Sequence, residues 1–150
     1  MSACIFHDTP QSLHDRRVFE IVEEIYDRRE KVVVFASSED RAAEIDRFLW
    51  ILKQESFIPH QVVRDLENPV SVPVAVVTTE WNPIDAGILL ADGHCSLEFA
   101  AGFELIHEFV DHSSPKITEE CRERFRRYRE MGIPIEHLKT GVWKGIVPNN

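Results

Sequence analysis

Three observations predict a single Rossmann-like α/β domain of three layers with a mostly parallel central sheet. Short β-branched runs alternate with amphipathic helical stretches along the chain. The runs at 32–36, 74–78 and 87–91 are almost wholly apolar, as expected of strands covered on both faces. The chain has 150 residues, 43% of them hydrophobic and 29% charged, enough for one proper core. No repeat, linker or low-complexity tract divides it, and right-handed crossovers would join its parallel strands.

The elements follow from local pattern. Cys4-Ile5-Phe6-His7 reads as a short first strand. Ser12, with Asp15 three residues on, resembles a helix amino-terminal cap. From Leu13 to Arg29, Val18, Val22, Ile25 and Tyr26 recur in steps of three and four, widened by Phe19 and Ile21, which makes one buried helical face. Val32 to Ala36 is the second strand. Ser38 then caps a second helix whose first turn carries Glu39 and Asp40, where the helix dipole favours them. Its expected core stripe is Ala42, Ile45, Leu49 and Leu52, with Trp50 about 100 degrees round from Leu49 and so at the stripe's edge.

The stretch from Phe57 to Val72 carries prolines at 59 and 69, with another at 73, and reads as a connection. Val74–Thr78 and Gly87–Ala91 are strands with a Trp81-Asn82-Pro83 turn between them. Phe103–Asp111 is expected to begin as helix and end as strand. A helix follows from about Ile117 to Met131, stopped by Gly132 and Pro134. A short strand falls somewhere in 135–147, before a disordered tip.

Composition narrows the function. Cys4, Cys95 and Cys121 are odd in number and scattered, which fits reduced thiols rather than a disulfide frame or zinc knuckle. No apolar run could span a bilayer, and no basic-then-apolar leader opens the chain, so a cytoplasmic protein is expected. A net charge of −9 disfavours broad nucleic-acid binding, which needs phosphate-neutralising Lys and Arg.

The loops after the first two strands, His-Asp-Thr-Pro-Gln-Ser and Ser-Ser-Glu-Asp, lack the small residues that let backbone amides close on a pyrophosphate. A small enzyme acting on a nucleotide or phosphorylated ligand is therefore the weaker alternative. His7, Asp8 and His14 read as a strand end and helix start rather than metal ligands. His107, Asp111 and His112 read as solvated or strand-edge residues. His94-Cys95 reads as structural, since adjacent side chains on an extended chain point apart. No nucleophile elbow is present. The residues supply neither a metal or other cofactor site nor a catalytic constellation.

The last helix concentrates charge: Arg122, Arg124, Arg126, Arg127 and Arg129 fall within eight residues. With Ile117, Cys121, Tyr128 and Met131 as the buried stripe, Arg122, Arg126 and Arg129 share a flanking face with Phe125 at its border. That face suits an acidic peptide carrying an apolar anchor. It equally suits a solvated face paired with Glu119, Glu120, Glu123 and Glu130. Direct single-stranded-DNA binding through the same arginines is a third reading, which the net charge disfavours.

Leu49-Trp50 followed by Ser56-Phe57-Ile58-Pro59-His60, the Phe103–Asp111 segment, and Arg122-Glu123-Arg124-Phe125-Arg126-Arg127-Tyr128-Arg129 before Gly132 resemble the chi subunit family of bacterial DNA polymerase III. The similarity covers most of the chain, with its landmarks in the middle and last thirds. It implies a non-catalytic clamp-loader accessory protein of Rossmann-like fold. It also implies binding to the acidic, Pro-Phe-ending tail of single-stranded-DNA-binding protein, and in many members to a psi subunit. A helicase is a further candidate partner.

By motif, Trp50, Phe57 and Pro59 would line the tail site, Arg122 and Arg126 would contact carboxylates, and Phe125 would stand beside them. The Trp/Phe-Pro loop is expected to meet the last helix. Two departures stand out: the loop before that helix is short, and Thr118 occupies a place where a Lys would add charge. No psi-facing residue is identified by motif.

Overall fold

A computed structural model describes residues 2–149 apart from 54, 56, 66–69 and 140. Seven strands form one sheet: β1 (Ala3–Asp8), β2 (Val32–Phe35), β3 (His60–Val62), β4 (Val74–Val77), β5 (Ile88–Ala91), β6 (Leu105–Val110) and β7 (Ile135–Leu138). Their order is β3-β4-β2-β5-β6-β1-β7, and every pairing is parallel. The central strands β2, β4 and β5 are buried at every position, which explains their unbroken apolar runs.

Helices α1 (His14–Asp27) and α2 (Glu39–Ile51) pack on one face of the sheet. The short α3 (Leu97–Ala100) and the long α4 (Pro115–Glu130) cover the other. Each layer follows from its sequence. Helix α1 buries Val18, Phe19, Ile21, Val22 and Ile25 of the stripe read from spacing, and Tyr26 packs against them only part-buried. Ser38 caps α2 by accepting from the Arg41 amide. Ser114 caps α4 by accepting from the Ile117 amide, Pro115 opens its first turn, and Gly132 at φ +78° closes it, a conformation that an L side chain strains to adopt.

Several local expectations change. Ser12 caps nothing, because a 3₁₀ turn over Gln11–Leu13 precedes α1, which starts at His14 without a side-chain cap. In α2 Phe48 joins the core, while Leu52 lies past the helix end and is exposed. The supposed connection from 57 to 72 contains β3, an edge strand of three residues, too short to carry a periodic signal. Leu66 to Pro69 lie outside the described residues, as does the expected disordered tip's last residue, Asn150.

The segment 103–111 is strand wherever it is regular, with no helical half, because β6 sits between β5 and β1 and both faces are covered. Met131 is exposed and Ile117 only part-buried. The inward position on α4 that they were meant to share is taken instead by Arg124, which turns toward β6.

His107 is neither solvated nor at an edge. It is buried in β6 on the α1 face and stacks on His7 of β1, with ring centroids 5.1 Å apart and His7 Nε2 2.8 Å from His107 Nδ1. Trp143, from the carboxy-terminal segment, packs edge-on over His107 at 4.7 Å. Adjacent parallel strands bring together two histidines a hundred positions apart.

Candidate functional site

The two halves of the expected pocket lie on opposite faces of the sheet. Trp50 ends α2 on the α1 face, where its ring meets His60 at 4.6 Å and Phe57 at 5.4 Å. His60 Nδ1 donates to the Ile58 carbonyl at 2.7 Å, which fixes the imidazole beneath the indole. Trp50 is 48% exposed, Ile51 61% and Phe57 63%. Pro59 is half-buried beside them, and Ser56 lies outside the described residues. Large rings that could have filled a corner therefore stand at the surface, where contiguous apolar area marks an interaction site.

Arg122, Phe125 and Arg126 stand on α4, on the far face. Phe125 packs on Phe6 of β1 at 5.2 Å, in the second core rather than the first. Between β3, beneath Trp50, and β1, beneath Phe125, run β4, β2, β5 and β6. Five inter-strand steps span about 24 Å. Among the described residues the Trp/Phe-Pro loop and the last helix do not meet, and the cavities lined by Phe125 include no residue of that loop. Sequence separation offered no sign of this, because which face a crossover helix takes is decided by the whole topology.

Around Phe125 the structure does form a pocket. A cavity of about 420 Å³ has an apolar floor of Phe6, Val110, Cys121 and Phe125 and a polar rim of Asp8, His112, Thr118, Arg122 and His137. The strands explain the floor: residues two apart share a face, so Phe6 and Asp8 of β1 look toward α4 together. Alternation along the first strand was the available signal for Phe6 and Asp8. Nothing in the sequence marks His137, which reaches the rim because β7 pairs with β1, Phe6 opposite His137.

Arg122 is 76% exposed at the rim, with Glu119 at 3.9 Å. Arg126 lies one turn further on, outside the cavity and paired with Glu123. Arg122 thus lines the cavity with Glu119 beside it, and Arg126 is engaged along its own helix with Glu123. Thr118 donates to the Asp111 and Ser114 carbonyls, tying the first turn of α4 to the loop after β6.

The crevice at the carboxyl ends of the strands, where α/β sheets commonly bind ligands, measures about 390 Å³. Its charged groups are spent on one another. Asp92 accepts two bonds from Arg41 and lies 2.8 Å from His14 Nε2, and Arg41 reaches on to Asp15. The Arg41 and His14 hydrogen bonds hold Asp92 below the usual carboxylate range despite its burial. Gly93 lets its loop lie against Ser37, where a Cβ would come within 2.9 Å of the Ser37 backbone.

Among the described residues no three His, Cys, Asp or Glu side chains are placed to hold a metal ion, and no helix is long and apolar enough to cross a membrane. His94 approaches not Cys95 but Glu120, at 3.6 Å, and the Cys121 sulfur, at 3.9 Å.

All three thiols are buried. Burial raises each of them, with Cys95 pushed up to about 11. The thiolate is the reactive form. Native protein at pH 7.5 is therefore expected to resist iodoacetamide at Cys4, Cys95 and Cys121, and denatured protein to take up three labels by mass spectrometry. Rapid native labelling at Cys95 would contradict the burial of that loop.

Fold and surfaces define a three-layer α/β protein with two exposed aromatic-lined areas, one on each face of a seven-stranded parallel sheet. Within that class the chain belongs to the DNA polymerase III chi subunit family: residues 1–136 match the family described as "DNA polymerase III chi subunit, HolC". It is 30% identical over 108 residues to "DNA polymerase III subunit chi" of Pseudomonas aeruginosa, covering 71% of this chain and 72% of the relative. It is 27% identical over 132 residues to the protein of the same description from Escherichia coli (strain K12), covering 87% and 86%.

Proposed function

We propose that this protein is a non-catalytic adaptor of the DNA polymerase III holoenzyme that uses one surface for each of two partners. The α4 cavity takes the acidic, Pro-Phe-ending tail of single-stranded-DNA-binding protein. The Trp50–Phe57 surface takes a clamp-loader component, a psi-type subunit.

The observation that carries this reading is the α4 cavity, an apolar floor of Phe6, Val110, Cys121 and Phe125 beneath Arg122. In a chain of net charge −9, a rim with an exposed arginine over an aromatic floor suits an anionic peptide ending in an apolar ring. Separation of the two surfaces supports the adaptor role. A linker must hold both partners at once, and sites about 24 Å apart across a sheet allow that.

A fluorescent peptide of acidic residues ending in Pro-Phe should bind with micromolar affinity, about −8 kcal/mol, weakened by salt. Arg122→Ala or Phe125→Ala should each reduce affinity about tenfold or more, and Phe57→Ala should leave it unchanged. In pulldowns of the assembled clamp loader, Trp50→Ala and Phe57→Ala should release the second partner and leave the tail bound. Absence of peptide binding, or binding that depends on Phe57 and not on Arg122, would sink the assignment of the α4 cavity.

A further inference from the structure

The α4 cavity contains an apparent conflict. Its ligand, on the reading above, is an anion, yet a carboxylate already stands on its wall. Asp8 is only partly exposed, at the end of β1, and each of its oxygens is held by a different imidazole. His112 Nε2, from the loop after β6, donates to Oδ1 at 3.2 Å. His137 Nε2, from β7, donates to Oδ2 at 3.3 Å. A carboxylate offers only acceptors, so both imidazoles carry their proton on the nitrogen that faces the cavity rim. Both contacts are longer than the 2.7–2.9 Å common for charge-assisted bonds. They hold Asp8 without gripping it.

All three side chains line the same cavity as Phe6 and Phe125. An aromatic side chain seated on that floor as the last residue of a peptide brings its terminal carboxylate, only a few bonds away, to the rim where Asp8 sits. We infer that His112 and His137 are the binding residues for that terminal carboxylate, and that Asp8 occupies their donors in the free protein and yields them when the peptide arrives. The inference rests on the peptide-binding reading of the cavity. It assigns the terminal carboxylate to the histidines and leaves Arg122 to the acidic side chains upstream, consistent with its exposed position beside Glu119.

Asp8 serves here as a resident substitute for the ligand. A peptide without a free terminal carboxylate gains nothing from displacing it, so the exchange selects chain ends over internal acidic-aromatic segments. The ionisable groups lining the exchange are Asp8, His112, His137 and Arg122 with its neighbour Glu119.

The test is a cycle of two peptides and three proteins. The peptides share one sequence, acidic and ending in Pro-Phe, and carry either a free carboxylate or a terminal amide. The proteins are the full chain, Asp8→Asn, and Asp8→Asn combined with His112→Ala and His137→Ala, which removes both side-chain donors. Melting temperature serves as the fold control, which these partly exposed rim positions should leave nearly unchanged.

Asp8→Asn should tighten the free-acid peptide about fivefold by removing the competing anion. Adding the two alanines should then weaken that peptide about tenfold and leave the amide peptide unaffected, so the coupling lies between the imidazoles and the terminal carboxylate. Equal losses for acid and amide peptides, or no loss for either, overturn the inference while Arg122-dependent binding persists. Failure of both peptides to bind the unaltered protein overturns the tail-binding reading itself.

Discussion

Arg124→Met is expected to cost about 3–5 kcal/mol of folding stability, although the other arginines of its helix are exposed. The Arg124 side chain is only 11% exposed and that of Glu108 1%. Arg124 Nε donates to both Glu108 oxygens, at 3.1 and 3.2 Å, and its NH1 donates to the Cys95 carbonyl at 2.6 Å. The Tyr128 hydroxyl donates to the same carboxylate at 2.6 Å. Burial pulls Arg124 down, but the Glu108 hydrogen bonds and charge outweigh it and raise it. Burial first, and Glu108 second, drive Tyr128 far above the usual phenol range.

Removing the guanidinium strands a carboxylate in the core, which is the costly event. Removing both charges is not, because a buried ion pair repays little beyond its own desolvation. Arg124→Met with Glu108→Leu should therefore recover most of the loss. Urea unfolding would measure it, and the single variant should melt roughly 10 °C lower. A cost below about 1 kcal/mol for Arg124→Met would mean the pair is effectively solvated and does not fix α4 on the sheet. Because Phe125 follows Arg124 on the helix, the same contact sets the height of the proposed cavity's wall.

Acidification should unfold this protein earlier than its carboxylates alone would dictate. Burial, with a smaller contribution from Arg17, lowers His7 to about 3. Burial, with His7 beside it, lowers His107 well below the ordinary value. Among the described residues His7 Nδ1 and His107 Nε2 have no hydrogen-bond partner, so the folded core offers nothing to an added proton.

Above pH 6.5 both imidazoles are neutral in the folded and unfolded chains, and the pair's stability is fully present. As pH falls below 6.5 the unfolded chain binds two protons that the folded chain refuses, and stability declines toward pH 3. At pH 5 the loss is about 2 kcal/mol per histidine, or about 4 kcal/mol for both. Exposed carboxylates titrate near about 4, so the window between pH 6.5 and 5 reports mainly on this pair. The variant with both His7 and His107 changed to Leu should show a shallower slope there in urea titrations at fixed pH steps. An unchanged slope would mean the pair is already accessible to protons in the native state.

Much of the architecture is written locally. The runs at Val32, Val74 and Ile88 are apolar because both faces of a central parallel strand are covered. Ser38 and Ser114 each start a helix by accepting from the amide three positions on. The angular position of Trp50 at the edge of its helix stripe follows from 3.6-residue geometry, and the ring is half exposed. The family itself was legible in the Trp/Phe-Pro loop and the arginine-rich helix.

What bears on partner binding was decided elsewhere. Whether Trp50 and Phe125 share a pocket depends on which face each crossover helix takes, and the answer places them on opposite sides. Arg124 turns inward because β6 offers Glu108 beneath it, while its neighbours Arg122 and Arg126 stay outside. The buried His7–His107 pair and the cluster of Asp8, His112 and His137 are products of β1 lying between β6 and β7. Caps, stripes and apolar runs involve residues a few positions apart, so the sequence by itself determined them. The paired imidazoles, the inward arginine and the two separate surfaces join residues that only parallel strand pairing and crossover packing bring near, so the tertiary structure alone decided them.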